Sequence, residues 1–236
     1  PYKKRVLEHL DYINVDAASI GAVNTVQRNY LGQLIGFNTD GQGFIDSLAN
    51  PHKFYSSGDI SMFESFERMN VLLIGSGGGA RAIAFYLAKN LKTKSILNIA
   101  TRNIKNGLNL GGSLTSRYPN INLRIMEESL VVYVLKQYDL IINATIKGSE
   151  GLKQTDNGFT YLKPYNSIAI AKSANLPRLD GESDEDLISR INDKSRAAIT
   201  MNHRFSELSI RSLTGRKVNF VDIIYNPNYT EFLRTA

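Results

Sequence analysis

The spacing of apolar residues changes character near residue 70. Before it, Val6, Leu7, Leu10 and Ile13 recur at helical spacing behind Lys3-Lys4-Arg5, which predicts an opening amphipathic helix with Pro1 at its start. Residues 20–26 read as a strand, 34–41 as a second short strand ending in a turn, and 43–48 as the beginning of a helix. Pro51, Ser56, Ser57 and Gly58 mark 51–64 as a linker. From Asn70 onward, buried strands alternate with helices. Strands are predicted over 71–74, 95–100, 121–125, 139–144 and 167–171, with helices over 80–91, 104–118 and 130–137. A charged stretch with helical pattern, 180–212, precedes a last strand over 218–224. This alternation predicts an α/β chain with a parallel sheet and helices on its faces.

With 236 residues and 42% apolar content, the chain can bury a real core. Cysteine is absent, which excludes disulfides and thiolate zinc sites and fits a reducing compartment. No run approaches the length of a membrane span and the first residues lack the apolar core of a signal peptide, so a soluble, cytoplasmic protein is expected. The net charge of +6 raises the question of nucleic acid. Its distribution argues against one. Between Arg81 and Met126 there is no Asp or Glu, whereas Arg81, Lys89, Lys92, Lys94, Arg102, Lys105, Arg117 and Arg124 all lie there. A positive field confined to one segment suits a local anionic ligand better than a long polyanion. His9, His52 and His203 show no ligand spacing, so no metal site is expected.

The anion has a natural seat. Gly75-Ser76-Gly77-Gly78-Gly79 lies between a buried strand and a helix that opens at Ala80, where glycines let the backbone approach a pyrophosphate and the helix start offers free N–H groups. At the end of the next strand, an Asp or Glu would bind the ribose of NAD and repel the extra phosphate of NADP. This chain has Thr101-Arg102-Asn103 instead, and a guanidinium can hold that phosphate, so NADP is the expected cofactor.

Three short polar signals precede the linker: Pro1-Tyr2-Lys3, Ala22-Val23-Asn24-Thr25 and Asn38-Thr39-Asp40-Gly41. Each alone is bland, a solvated lysine or a turn pair. In this order, followed by the glycine turn and Arg81, they resemble the shikimate dehydrogenase family. Further on, Asn143-Ala144-Thr145 matches the family's motif after the fourth strand, and Tyr225-Asn226-Pro227 with Thr230-Glu231-Phe232-Leu233 matches its closing segment. The resemblance spans nearly the whole chain apart from an insertion between Gly148 and Val218. It implies an incomplete substrate domain over 1–50, a linker over 51–64, and a Rossmann NADP-binding domain over 65–236 with an insert near 175–215. Family members also carry a preceding segment with two substrate-binding serines and a closing helix, so a fragment is expected. Two departures stand out: the family's Asn-Arg-Thr phosphate motif is Thr101-Arg102-Asn103 here, and Ile146-Lys147 replace small residues after Thr145.

The resemblance implies reversible reduction of 3-dehydroshikimate to shikimate with NADPH, a step of aromatic amino-acid (chorismate) biosynthesis. Lys3 would be the general acid or base, with Lys4 as its neighbour and competitor. Asp40 would pair with Lys3 and accept from a substrate hydroxyl. Asn24 and Tyr225 would complete the substrate contacts. Gly75, Ser76, Gly77, Gly78, Gly79 and Ala80 would hold the pyrophosphate; Thr101, Arg102 and Asn103 the ribose phosphate; Asn143, Thr145 and Ile223 the nicotinamide side. Shikimate or 3-dehydroshikimate would be the small-molecule partner of a monomer or homodimer. Alternatives are a quinate/shikimate dehydrogenase, and a non-catalytic relative that binds ligand only.

Overall fold

The computed structural model describes residues 2–3, 5–49, 63, 66–91 and 94–236. The expected helix-start Pro1, the competitor Lys4 and, apart from Phe63, the linker over 51–64 lie outside them. Two compact units emerge, one of residues 1–69, 76–97 and 105–124, the other of residues 70–75, 98–104 and 125–236.

In the first unit, β1 (Tyr12–Ile13) pairs parallel with β3 (Leu34–Phe37), and β2 (Thr25–Arg28) pairs antiparallel with β3 on its other side. The expected opening helix is only a 3₁₀ turn, Arg5–His9, with no buried residue. Ile13 belongs to the sheet instead and Leu10 packs against it: Asp11 N–H donates to Leu34 O, and a side chain at Gly36 would run into Leu10 and Val23. The expected strand over 20–26 is also corrected. Helix α1 (Val15–Ile20) is capped by the Asn14 side chain and stopped by Gly21 at φ 71°, so Ile20, Ala22 and Val23 are the buried end of a helix and its exit loop. Helix α2 (Asp40–Ala49) follows β3 after two residues. The unit also holds α3 (Gly78–Asn90) and α4 (Ile104–Arg117), and α2 packs on α3 through Gly41.

The five-stranded sheet runs in the order β10 (Asn219–Asp222), β7 (Leu140–Asn143), β4 (Asn70–Ile74), β5 (Ile96–Thr101), β6 (Leu123–Glu127). Parallel registers Val71↔Leu140 to Ile74↔Asn143, and Asn219↔Leu140 to Asp222↔Asn143, align Ile74, Asn143 and Asp222 at one edge. The loops that follow those three residues therefore leave the sheet together, at the carboxyl ends where α/β sheets bind ligands. The core of this unit gathers Leu72, Ile74, Ala100, Val131, Leu135, Tyr138, Ile141, Ile168 and Phe232.

The expected helix over 130–137 is broken into a 3₁₀ turn, α5 (Val131–Val134) and a second 3₁₀ turn. The expected strand over 167–171 is a loop, buried over 167–169. Its polar backbone is met by Asn202, whose amide binds Asn166 N–H (2.8 Å) and the carbonyls of Asn166 (3.0 Å), Ala169 (3.1 Å) and Ile170 (3.2 Å). With its backbone groups satisfied in this way, the segment needs no strand neighbour. Asn202 lies on α6 (Asp184–Arg211), whose N-terminus is capped by Ser183. Leu187 and Ile191 of α6 pack with Tyr161 of the hairpin β8 (Leu152–Thr155) and β9 (Gly158–Tyr161), a feature the sequence pattern did not announce. A short α7 (Glu231–Thr235) ends the chain, capped by Thr230.

Candidate active site

In the first unit the three polar motifs converge. Lys3 is placed by its backbone, whose carbonyl accepts from Val23 N–H at 2.9 Å. Asn24 is placed by Phe37 O, which accepts its N–H at 3.0 Å where β2 meets β3. Buried Asn38 donates to Ala22 O (3.1 Å) and accepts from Asp40 N–H (3.2 Å), fixing the start of α2. The result is one cluster: Lys3 Nζ lies 2.5 Å from Asp40 Oδ2, while Asn24 Nδ2 donates to Asp40 Oδ1 at 2.6 Å and to Thr39 Oγ1 at 3.1 Å. The Lys3 and Asp40 side chains are 55% and 38% exposed. Water therefore screens the pair, which contributes little to stability, and both groups remain open to a ligand. The Asp-Gly step expected as a turn is in fact the first turn of α2, because Gly41 allows the close approach of α3.

Arg81, one turn into α3, donates through Nε to Ile20 O at the end of α1 and through Nη2 to Ser113 Oγ (3.2 Å) on α4. Burial lowers its pKa from the usual value. Two helices are thus tied to the first turn of α3, two residues beyond the glycine turn.

The glycine turn between β4 and α3 is shaped by its lack of side chains. Gly75 leaves β4 at φ 120°, and a Cβ there would meet Ala144 O at 2.7 Å, so only glycine suits the position. Gly77 caps α3 without any side-chain bond, and no heavy atom lies within 4 Å of a Cβ built on Gly77 or Gly78. The turn at the head of α3 is therefore uncrowded on the side where Gly77 and Gly78 lack a side chain. Gly79 is exposed, whereas Ala80 is fully buried in the helix packing. At the end of β5, Thr101 is buried with its hydroxyl donating to Asn103 O (3.1 Å), and Arg102 and Asn103 are exposed.

At the aligned sheet edge, a cavity of about 340 Å³ is lined by Thr145, Ile146, Ser149, Glu150, Lys153, Ile223, Ile224, Tyr225 and Asn226. It gathers Thr145, Ile223 and Tyr225, three of the residues singled out from sequence. Asn143 is different. It is fully buried, and its amide is consumed inside the protein: Nδ2 donates to Lys147 O (3.2 Å) and Asp222 Oδ1 (3.0 Å), and Oδ1 accepts from Thr145 N–H (3.1 Å) and Oγ1 (2.8 Å). It shapes the loop rather than facing the cavity. Asp222 also accepts from Thr230 Oγ1 (2.6 Å) and Ile224 N–H (2.9 Å). Burial nonetheless pushes its pKa up against those bonds. Glu150 on the cavity wall is held below the usual carboxylate range by Lys163, with Tyr161 donating as well.

Sequence reading missed Asp222 and Thr230 as the frame of this loop, and Lys153 and Glu150 as cavity walls. The Asn143-Ala144-Thr145 and Tyr225-Asn226-Pro227 motifs pointed to this region but not to these roles. A second cavity, about 520 Å³, lies elsewhere, against apolar side chains of α5 and α6 including Tyr133, Met201 and Phe205. It touches none of the polar clusters just described.

A strand, a glycine turn and a helix leading from a parallel sheet define an α/β protein with a Rossmann-like sheet. No family model matches the chain. Shikimate dehydrogenase (NADP(+)) of Staphylococcus aureus (strain bovine RF122 / ET3-1) is 32% identical over 166 residues, covering 70% of this chain and 53% of that protein. The chain is a homologue of the shikimate dehydrogenases, and it spans about half the length of the curated relatives it matches. Among solved structures, shikimate 5-dehydrogenase from Thermus thermophilus in complex with NADP(H) and shikimate superposes with TM-score 0.56 at 25% identity, covering 100% of this chain and 60% of that one. Quinate dehydrogenase from Corynebacterium glutamicum in complex with NAD gives 0.61 at 21% identity, covering 100% and 61%. The latter likeness is one of fold.

Proposed function

We propose that the chain is the catalytic and dinucleotide-binding part of an NADP-dependent dehydrogenase that interconverts shikimate and 3-dehydroshikimate, residues 1–50 serving the substrate and 65–236 the cofactor. The observation that carries this reading is the Lys3–Asp40 pair with Asn24 bound to the same carboxylate. A pure binding module has no need of an ammonium held beside a carboxylate in an open site.

When bound, the reduced dinucleotide supplies a hydride. The chain's own residues do the rest. Lys3 donates a proton to the substrate oxygen that becomes the hydroxyl, and takes it back in the reverse direction. Asp40 favours the charged ammonium by proximity and accepts from a substrate hydroxyl. Asn24 and Tyr225 hold the remaining hydroxyls in register. Gly75 to Gly79 offer backbone N–H groups to the pyrophosphate, Arg102 takes the ribose phosphate, and Thr145 and Ile223 wall the nicotinamide side, with Asn143 holding Thr145 in place.

The test uses the full chain with shikimate or quinate and NADP or NAD, followed by the absorbance of the reduced nicotinamide. Shikimate with NADP is expected to turn over, and Lys3→Ala to lower the rate by about 10²- to 10⁴-fold while NADP still binds. NADP binding without turnover of any substrate would leave a ligand-binding relative; quinate with NAD as the best pair would replace the substrate and cofactor named here.

A further inference from the structure

Lys147 is one of the two departures from the family pattern beside the cavity, and its side chain does not enter the cavity. It turns inward, 6% exposed, where Nζ meets three acceptors: Glu128 Oε1 at 2.8 Å, Ala169 O at 2.9 Å and Ser167 O at 3.3 Å. Glu128 is itself 8% exposed. The three acceptors match the three N–H bonds of an ammonium, so an apolar side chain here would strand a buried carboxylate and leave two buried carbonyls without this donor. The Lys147 backbone is engaged as well. Its N–H donates to Thr145 Oγ1 (3.1 Å) and its carbonyl accepts from Asn143 (3.2 Å). One residue thus grips the 143–147 loop at both backbone poles and bolts it to two separate segments. Its neighbour Ile146 is 54% exposed and lies on the cavity wall.

We propose that Lys147, paired with Glu128, is a positioning residue that fixes the 143–147 loop and so sets where Thr145 and Ile146 meet the nicotinamide end of the cofactor. This rests on the dinucleotide reading above. Burial, opposed by Glu128, pulls the Lys147 pKa below the ordinary lysine range, in keeping with a group enclosed by its partners.

The experiment is calorimetric titration of the full chain with two probes: NADP, and adenosine 2′,5′-bisphosphate, which carries the ribose phosphate but no nicotinamide. Lys147→Met alone would leave Glu128 buried and unpaired, so the main variant is Lys147→Met with Glu128→Leu, which removes both charges at similar volume. It is expected to bind NADP about tenfold more weakly, the loss of roughly one well-placed bond, with bisphosphate binding unchanged. The milder Glu128→Gln, whose amide oxygen still accepts from Lys147, is expected to move NADP alone in the same direction by about threefold. Equal losses for both probes, or no loss for either, overturn the positioning role. If the unaltered chain binds neither probe, the dinucleotide reading fails and takes this proposal with it.

Discussion

Arg102 shows how much one side chain can be asked to decide. It stands exposed where β5 gives way to α4, with no carboxylate within 4 Å among the described residues, so its charge is available to a ligand. A charge-assisted bond to a phosphate is worth about 1.5–3 kcal/mol, so Arg102→Ala is expected to weaken NADP about ten- to a hundredfold and to spare NAD. Titration of both dinucleotides checks this, and equal losses would remove Arg102 from the phosphate contact. Arg102 could be read from its place at a strand end. Lys3 and Asp40 could not be paired by local pattern, being 37 positions apart; only the order of three bland motifs joined them. Lys147 was less legible still, because a lysine after a loop looks like a solvated residue until the fold wraps two carbonyls and Glu128 around it.

Among elements, β4, β5 and β7 with helices α3 and α4 were legible because each buries a continuous run or a regular stripe, whereas 130–137 and 167–171 were not. The shorter elements before it were not. In residues 5–26, apolar residues at helical spacing serve a 3₁₀ turn and a two-residue strand, a strand-like run holds a helix end and its exit loop, and tertiary pairing overrides the local period. The hairpin β8–β9 has too few residues and too mixed a surface to register as alternation. Gly41 shows a further limit, since its role lies in what faces it. A Cβ there would meet Ala82 O of α3 at 2.6 Å and press on the Tyr86 ring. Gly41→Ala should force α2 from α3 and destabilise the fold by about 1–3 kcal/mol, the usual cost of overpacking. Urea unfolding followed by circular dichroism measures it; an unchanged midpoint would mean that the helices separate at no cost.

For the molecule as a whole, alkaline pH is the informative stress. Burial, then the charge of Asp16, raise the Tyr86 phenol to about 12 from an ordinary 10, and its hydroxyl donates to Asp16 Oδ2 at 3.3 Å. Between those values the unfolded chain has lost a proton that the folded one retains. Stability is therefore full below about pH 10 and declines as pH rises toward about 12. Burial pushes Tyr161 and Tyr165 the same way, so the slope is shared. The stabilisation of the unaltered chain relative to Tyr86→Phe should shrink between about pH 9 and about pH 11 in urea melts; a constant difference would show that the phenol titrates alike in both states.

Asn202 gives α6 a constraint that its apolar stripe alone would not. A greasy surface tolerates sliding, but an amide that serves four backbone groups of one loop works at a single rotational setting. Removing one residue between Ser183 and Asn202 would swing that amide about 100° around the axis. Natural length variants of α6 should therefore gain or lose whole turns, so that the helix changes reach without changing its grip.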